Sequence, residues 1–500
     1  MSAASLKQGN ELRVRNWLLA TRPHSNQGTF IGYSSPIQPV PFIAEAAPAA
    51  KHSGQPRAWE GPGVYDGGSY EKYGELLEEW KTGRQAMHVE GGSWQEAYTL
   101  LHKEVMRGER ETKLLEFWCE DLTVCGGLAD RMLGMTTTFL LSLLTNRAFL
   151  ASWDHPIPLS LLFDSPAIDW SELSFPALPS FPPEEGGRSA HVLYGNKTLV
   201  QGRKSVPFHN FRIEQVAPFL EKLRSGEQTG LANEPWIRLE RPNRGIAINA
   251  FSNPTLLPEF TAVGLTTSNI YAQLVHYLFR PKLEAFMFIH EYTSLFALPS
   301  IFAVGIQIRT GDVYMRDPEL DVVNTVERHQ HWFDCANEVV ETYALPSQRP
   351  LYFLITDSAH LRQSASLAFP DRVVVSGLAQ HHNELRDDSN KLLRVTEDQG
   401  RARTVEEMKE ELEGLQNTVA ESWIFEAMDF ALLSKNSGFG KIPTFVHGKP
   451  HRAISVPRVV VPDLAKAGDP EAYQRPSMPS CRLESALASF SDLSSGWSLG

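Results

Sequence analysis

No run of about eighteen apolar residues occurs in this chain of 500 residues, so no membrane span is legible in it. Its first residues, Met1-Ser2-Ala3-Ala4-Ser5-Leu6-Lys7, lack the apolar stretch of a secretory leader. As written, the chain reads as soluble and cytoplasmic. A basic excess is also missing. Lys and Arg number 47 against 59 Asp and Glu, a formal net charge of -12, which argues against DNA or RNA as the main partner. Any anion site must therefore be a local pocket set against a negative field. Cysteine is scarce: Cys119, Cys125, Cys335 and Cys481 are too few for a disulfide framework, and their spacings match no zinc pattern. Pairing of Cys119 with Cys125 stays open; four free thiols is the expectation. There is no Gly-x-Ser-x-Gly elbow, no Walker lysine loop and no His-Glu-x-x-His, so hydrolase, NTPase and metalloprotease readings lose support. His329, His331 and the pair His381-His382 have no carboxylate or Cys at ligand spacing on a common helix face, and no metal site is expected.

What is present is an ordinary globular composition, 42% hydrophobic and 21% charged, with length for two or three domains. Residues 1–95 are rich in Pro and Gly, with prolines at 36, 39, 41, 48, 56 and 62, and read as a partly ordered extension. Residues 96–300 and 301–456 are expected to form two halves. Residues 457–500 are expected to be a tail, disordered at its Ser/Gly-rich end. Leu128, Met132, Met135, Phe139 and Leu143 recur at spacings of three and four, the mark of a helix with one apolar stripe, entered from Gly126-Gly127. Ser268 is a plausible N-cap for a helix running to Arg280. After Ala303 strands and helices alternate: a strand ending at Arg309, a helix over 326–343, strands at 351–355 and 372–375, helices over 359–369 and 420–433, then a Gly-rich turn at 436–440. Such alternation implies an α/β domain with a parallel sheet and helices on both faces.

Four loops could carry chemistry. Gly126-Gly127-Leu128-Ala129-Asp130-Arg131 opens a helix, whose free N–H groups and dipole favour an anion. Val304, Ile306 and Ile308 alternate with Gly305, Gln307 and Arg309, a period of two that delivers an arginine at the carboxyl end of a strand, before Thr310-Gly311-Asp312. In open α/β sheets ligands bind at that end. The planar guanidinium fork there suits a diphosphate. Thr356-Asp357-Ser358 ends another strand, and Ser437-Gly438-Phe439-Gly440-Lys441 is a small-residue turn that phosphate could approach closely. Taken singly, each has a plainer reading as turn, surface charge or helix cap; their joint occurrence in this order favours the functional one.

The same residues carry a resemblance. Gly126-Gly127-Leu128-Ala129-Asp130-Arg131, followed by Leu144-Thr145-Asn146-Arg147-Ala148-Phe149-Leu150, resembles the Gly-Gly-Leu-Gly-Asp-Arg signature of GDP-fucose-dependent fucosyltransferases of the plant xyloglucan and bacterial nodulation type. Val304-Gly305-Ile306-Gln307-Ile308-Arg309, Thr356-Asp357-Ser358 and Ser437-Gly438-Phe439-Gly440 are similar to their three C-terminal motifs, so that the likeness spans about residues 115–450. Ala129 replaces a glycine, and Thr310-Gly311-Asp312 follows where some relatives have a second basic residue.

The resemblance implies a GT-B architecture, two Rossmann-like halves facing a cleft, with acceptor bound on the first half and nucleotide sugar on the second. It implies an inverting transfer of fucose from GDP-fucose to a hydroxyl of a glycan or glycoprotein. GDP-fucose is then a substrate and no cofactor or metal is needed. It also brings in a Golgi or secretory location as the alternative to the cytoplasm. Arg309 is expected to neutralise the leaving diphosphate, seconded by Ser437, Gly438 and Phe439. Asp357 and Ser358 would contact guanine or ribose, Gln307 the donor or acceptor, and Gly126 and Gly127 an anion. Asp130 and Asp312 are the alternatives for the base. A transferase using another sugar nucleotide and a non-catalytic glycan- or nucleotide-binding relative remain open readings.

Overall fold

The computed structural model describes residues 94–119, 125–153, 157–170, 203–208, 215–225, 230–311, 314, 318–376, 405–435, 437–447, 452–459, 476–488 and 493. The expected extension up to residue 93, Asp312, the pair His381-His382 and the chain end from 494 lie outside them. Two parallel sheets organise the described residues. The first has the order β2-β1-β5-β4, from β1 (Leu114–Cys119), β2 (Ala148–Trp153), β4 (Arg203–Pro207) and β5 (Trp236–Glu240). The second has the order β11-β10-β7-β8-β9, from β7 (Ile301–Ile308), β8 (Arg349–Thr356), β9 (Val373–Val374), β10 (Phe430–Ser434) and β11 (Ala453–Val456). A two-stranded antiparallel ribbon, β3 (Phe163–Asp164) with β6 (Arg280–Pro281), lies outside both sheets.

The described helices are α1 (Trp94–Met106), α2 (Leu128–Leu144), α3 (Val216–Arg224), α4 (Ile270–Leu278), α5 (Leu283–Phe296), α6 (Gln330–Tyr343), α7 (Ala359–Ala368), α8 (Val405–Glu426) and α9 (Gly438–Val446), besides shorter turns. α2 is buried almost all round, because it lies against β1 and β2 on one side and α4 and α9 on the other. α1 begins inside the segment read as an extension, and it docks through Trp94, whose Nε1 donates to Gln273 at 2.8 Å.

In the second sheet β7 is buried along its whole length, since strands covered on both faces expose neither set of side chains. Phe302, Val304, Ile306 and Ile308 pack with Trp332 and Phe333 of α6 and Leu361 and Ala365 of α7. The opposite face meets α8, α5 and α9, with Gly305 lying under Phe425 and Met428. The chain runs outward from β7 to β8 and β9, then returns to the other side of β7 with β10 and β11. The order therefore reverses between β7 and β10, the place where doubly wound sheets open a crevice at their carboxyl ends.

Several expectations change. The cysteines are not free thiols: Cys119 is bonded to Cys125 and Cys335 to Cys481. The first bridge closes the loop from β1 to α2; the second ties residues 476–488 to α6, and Leu487 forms a bridge with Ile454 of β11. The tail segment 476–488 is thus docked on the second sheet. The helix expected over 420–433 is the end of α8, after which Phe430–Ser434 form a strand; its five residues are all buried, and an apolar run of that length has no periodicity to separate the two states. α6 begins at Gln330, not near 326, and Asn269, not Ser268, precedes α4, which stops at Leu278. Asn269 Oδ1 accepts the Thr266 N–H while Ser268 Oγ pairs with Thr266 Oγ1. No helix among the described residues is long and apolar enough to cross a membrane.

Candidate active site

The carboxyl edge of the second sheet gathers most of the expected residues. After Ile308 the Arg309 N–H leaves the ladder and donates to Ser434 Oγ at 2.8 Å, on neighbouring β10. Asp357, the first residue after β8, turns its carboxylate onto the same loop. Its Oδ2 accepts from Arg309 Nη1 at 2.5 Å and from the Gly311 N–H at 2.9 Å; its Oδ1 accepts from the Thr310 N–H at 2.7 Å and from Thr310 Oγ1 at 2.9 Å. The Asp357 side chain is 3% exposed and that of Arg309 23%, so a buried carboxylate aims a guanidinium that still reaches solvent. Asp357, expected at guanine or ribose, directs both oxygens at residues 309–311. Ser358 is fully buried, and its Oγ accepts the Leu361 N–H at 2.9 Å as the N-cap of α7.

Gln307, expected at the donor or acceptor, is 3% exposed because α9 covers it. Its Oε1 accepts the Ser434 N–H at 3.1 Å and its Nε2 donates to Ser437 Oγ at 3.3 Å. The stretch 437–440, expected as a turn, is the N-cap and first turn of α9, with Ser437 in extended conformation as the cap. A Cβ on Gly440 would lie 2.9 Å from Gln307 Cγ and 2.9 Å from Leu433 Cδ2, so only a glycine lets the helix start this close to the sheet. Ser437 makes no side-chain cap bond, and the first N–H groups of α9 stand at the edge beside Arg309's strand.

A pocket opens beside this edge between the 309–314 loop, the start of α6 and the segment after β11. Arg309, Tyr314, Arg328, His329, Trp332 and Arg458 are among its walls. The Arg328 guanidinium lies 6.0 Å from the centre of the Tyr314 ring. Burial, with help from Arg328 and His331, pushes His329 down to about 3, so its imidazole is neutral at physiological pH.

The glycine signature lies at the carboxyl end of β1 in the other sheet. Gly126 has φ +77°, and a Cβ there would fall 2.5 Å from Asp130 Oδ2. Gly127 caps α2, and Asp130, three residues on, accepts the Gly127 N–H at 3.2 Å. Asp130, one of the two candidates for the base, thus closes the first turn of its own helix. Arg131 donates to the Gly126 carbonyl at 3.0 Å and its guanidinium sits 4.9 Å from the centre of the Trp153 ring. Arg244, just after β5, is lowered by burial while neighbouring Asp130 acts the other way. Trp153, Arg244, Arg328 and Arg458 carry no local signal in sequence; Trp153 is brought in by the end of β2 and the three arginines by different connecting segments. Arg147, within the resemblance, is structural: buried, it donates to the carbonyls of Leu231, Ala232 and Glu234 at 2.7, 3.0 and 2.8 Å.

No family model matches the chain, and no curated protein matches it. Among solved structures it is similar to a mutant of Arabidopsis thaliana FUT1 in complex with GDP, with 15% identity over 80% of this chain and 81% of that one and a TM-score of 0.42. It is also similar to the fucosyltransferase NodZ of Bradyrhizobium, with 14% identity over 73% of this chain and 98% of that one and a TM-score of 0.34.

Proposed function

We propose that this chain is an inverting glycosyltransferase that moves fucose from GDP-fucose to a hydroxyl of a glycan or glycoprotein acceptor. The observation that carries the reading is Arg309, aimed by buried Asp357 at the carboxyl edge of a doubly wound sheet, next to the open first turn of α9. In this reading the two sheets are the cores of two Rossmann-like halves facing a cleft, the second taking the nucleotide sugar and the first the acceptor. The acceptor oxygen attacks C1 of fucose from the face opposite the diphosphate. The new C–O bond forms as the bond from C1 to the β-phosphate oxygen breaks, and that electron pair goes to GDP. The hydroxyl proton passes to a base or to solvent, Asp130 and Asp312 being the candidates. Negative charge grows on the β-phosphate, and Arg309 with the N–H groups near Gly438 meets it without a metal. Donors held in place where charge develops cost no reorganisation during reaction.

The test is calorimetric titration with GDP beside UDP and ADP, on the wild type and on Arg309→Ala, followed by transfer from GDP-fucose to an acceptor panel. Selective GDP binding that the variant loses supports the donor. Selective UDP or ADP binding overturns GDP-fucose, and binding of GDP without any transfer across the panel speaks against an enzyme.

A further inference from the structure

The pocket beside Arg309 lies on the α6 face of the second sheet, across from α9, since Ile308 in its wall packs with the α6 side chains. Two of its walls carry buried polar atoms with no hydrogen-bond partner, His329 Nδ1 and Trp332 Nε1. His329 is 3% exposed and Trp332 is fully buried. Three residues apart at the start of α6, they share a helix face. The hydrogen bonds behind His329 fix its tautomer. Asn324 Nδ2 donates to Asp321 Oδ1 at 3.0 Å, so Asn324 turns its Oδ1 to His329 Nε2, 3.2 Å away, and accepts a proton from it. Asp321 is held in turn by the His360 N–H, 2.9 Å from its Oδ2. A neutral imidazole has a single N–H, so Nδ1 is left as a bare acceptor. The Trp332 indole only donates.

The pocket therefore presents one buried acceptor and one buried donor that the protein itself leaves unmatched, a costly arrangement unless a ligand completes it. A fully ionised phosphate or carboxylate has no proton for Nδ1 and would set lone pair against lone pair. A hydroxyl serves both atoms at once, accepting from Trp332 and donating to His329. Negative charge is called for as well. Arg328 and the exposed Arg458 stand with Arg309 among the described walls, and no carboxylate does. In a chain of net charge -12 this is a local positive site. We propose that the pocket binds a sugar ring carrying an acid group, one ring hydroxyl bridging His329 and Trp332 and the acid lying on Arg328 and Arg458. Two sources share that chemistry, a uronic acid of the acceptor and the ribose phosphate of the nucleotide. Only the second source rests on the donor reading above.

The experiment is ligand-observed NMR titration with glucuronate and ribose 5-phosphate beside glucose and ribose, with GDP as competitor. It is run on wild type, Arg458→Gln and Trp332→Phe, alongside thermal melts. Arg458 is exposed, so its variant keeps the fold; phenylalanine fills most of the indole's space without the N–H. In wild type at least one acid sugar is expected to bind about tenfold more tightly than its neutral counterpart. Arg458→Gln should erase that preference, and Trp332→Phe should weaken acid and neutral sugar alike, about fivefold. GDP that displaces the bound probe assigns the ring to the nucleotide; probe and GDP bound together assign it to the acceptor. No preference for either acid sugar in wild type, or affinities unchanged in the folded variants, overturns the site, and selective GDP binding then still leaves the donor reading standing. Acid-sugar binding that depends on Arg458 and Trp332, with no binding of GDP, keeps the site and removes the donor reading.

Discussion

Asp357 Oδ2 lies 2.5 Å from Arg309 Nη1 and accepts the Gly311 N–H as well, so one buried carboxylate fixes both the guanidinium and the loop that bears it. The pair joins the ends of β7 and β8. Arg309→Ala is expected to lower transfer on the order of 10²–10³-fold while the fold survives. A rate within about tenfold of wild type would remove Arg309 from the chemistry. Asp357→Asn keeps the size but loses the charge. It should lower both melting temperature and GDP affinity, because the loop N–H groups and Arg309 lose their common acceptor.

Asp130 has a structural task that can be separated from catalysis. Its bond to the Gly127 N–H predicts a loss of about 1 kcal/mol in stability for Asp130→Ala, read by chemical denaturation. Asp130→Asn keeps an acceptor oxygen and should fold nearly as well. If Asp130 is the base, the asparagine variant loses transfer while still binding GDP; parallel loss of both marks it as structural only.

The start of α9 is tightly determined. Gly440→Ala must displace Gln307 or Leu433, and overpacking of this kind costs about 1–3 kcal/mol. Because Gln307 also holds Ser434 and Ser437, the variant should bind GDP more weakly as well. An unchanged melting temperature together with unchanged binding would show that the helix can move away from the sheet without consequence.

His276 Nε2 and Glu426 Oε1, 3.0 Å apart, tie α4 to the end of α8. Burial alone would lower His276, but the Glu426 carboxylate outweighs it and the net shift is upward from the ordinary histidine value of 6.5. A histidine raised on folding stabilises most below its unfolded value, and that contribution fades as pH rises from 6.5 through the folded value. Melting temperature should therefore fall over that window, and His276→Gln should flatten this part of the profile. A slope identical in the variant would assign the effect to other groups.

The Cys335–Cys481 bond spans 146 residues and anchors the segment after β11 to α6. Removing it as Cys335→Ser with Cys481→Ser is expected to cost about 2–5 kcal/mol. Comparing that variant with Cys119→Ser/Cys125→Ser in thermal melts, with and without reductant, separates the two bridges. Insensitivity of the wild type to reductant would mean that the bonds do not contribute.

Elements with a period were legible. α2 was readable from Leu128, Met132, Met135 and Phe139 because one helix face repeats every three to four residues, and β7 and β8 from their apolar runs between turn signals. α8 was read as helix but not its end, and β10 and α9 were not read, since a short buried strand after a long helix reads as more helix, and Gly438-Phe439-Gly440 reads as a turn unless the close approach of Gln307 is known. The Cys335–Cys481 bond escaped because its cysteines are 146 residues apart, and proximity over that distance is a property of the sheet order.

Chain order alone determined that Arg309 and Asp357 end strands, because strand ends are local facts of alternation, apolar runs and turn chemistry. It did not determine what those residues touch. That Asp357 orients Arg309, that Asp130 closes its own helix and that Gln307 is buried under α9 were decided by packing. Each depends on which strands become neighbours and how closely a helix can approach, and those distances are set by side chains far apart in sequence.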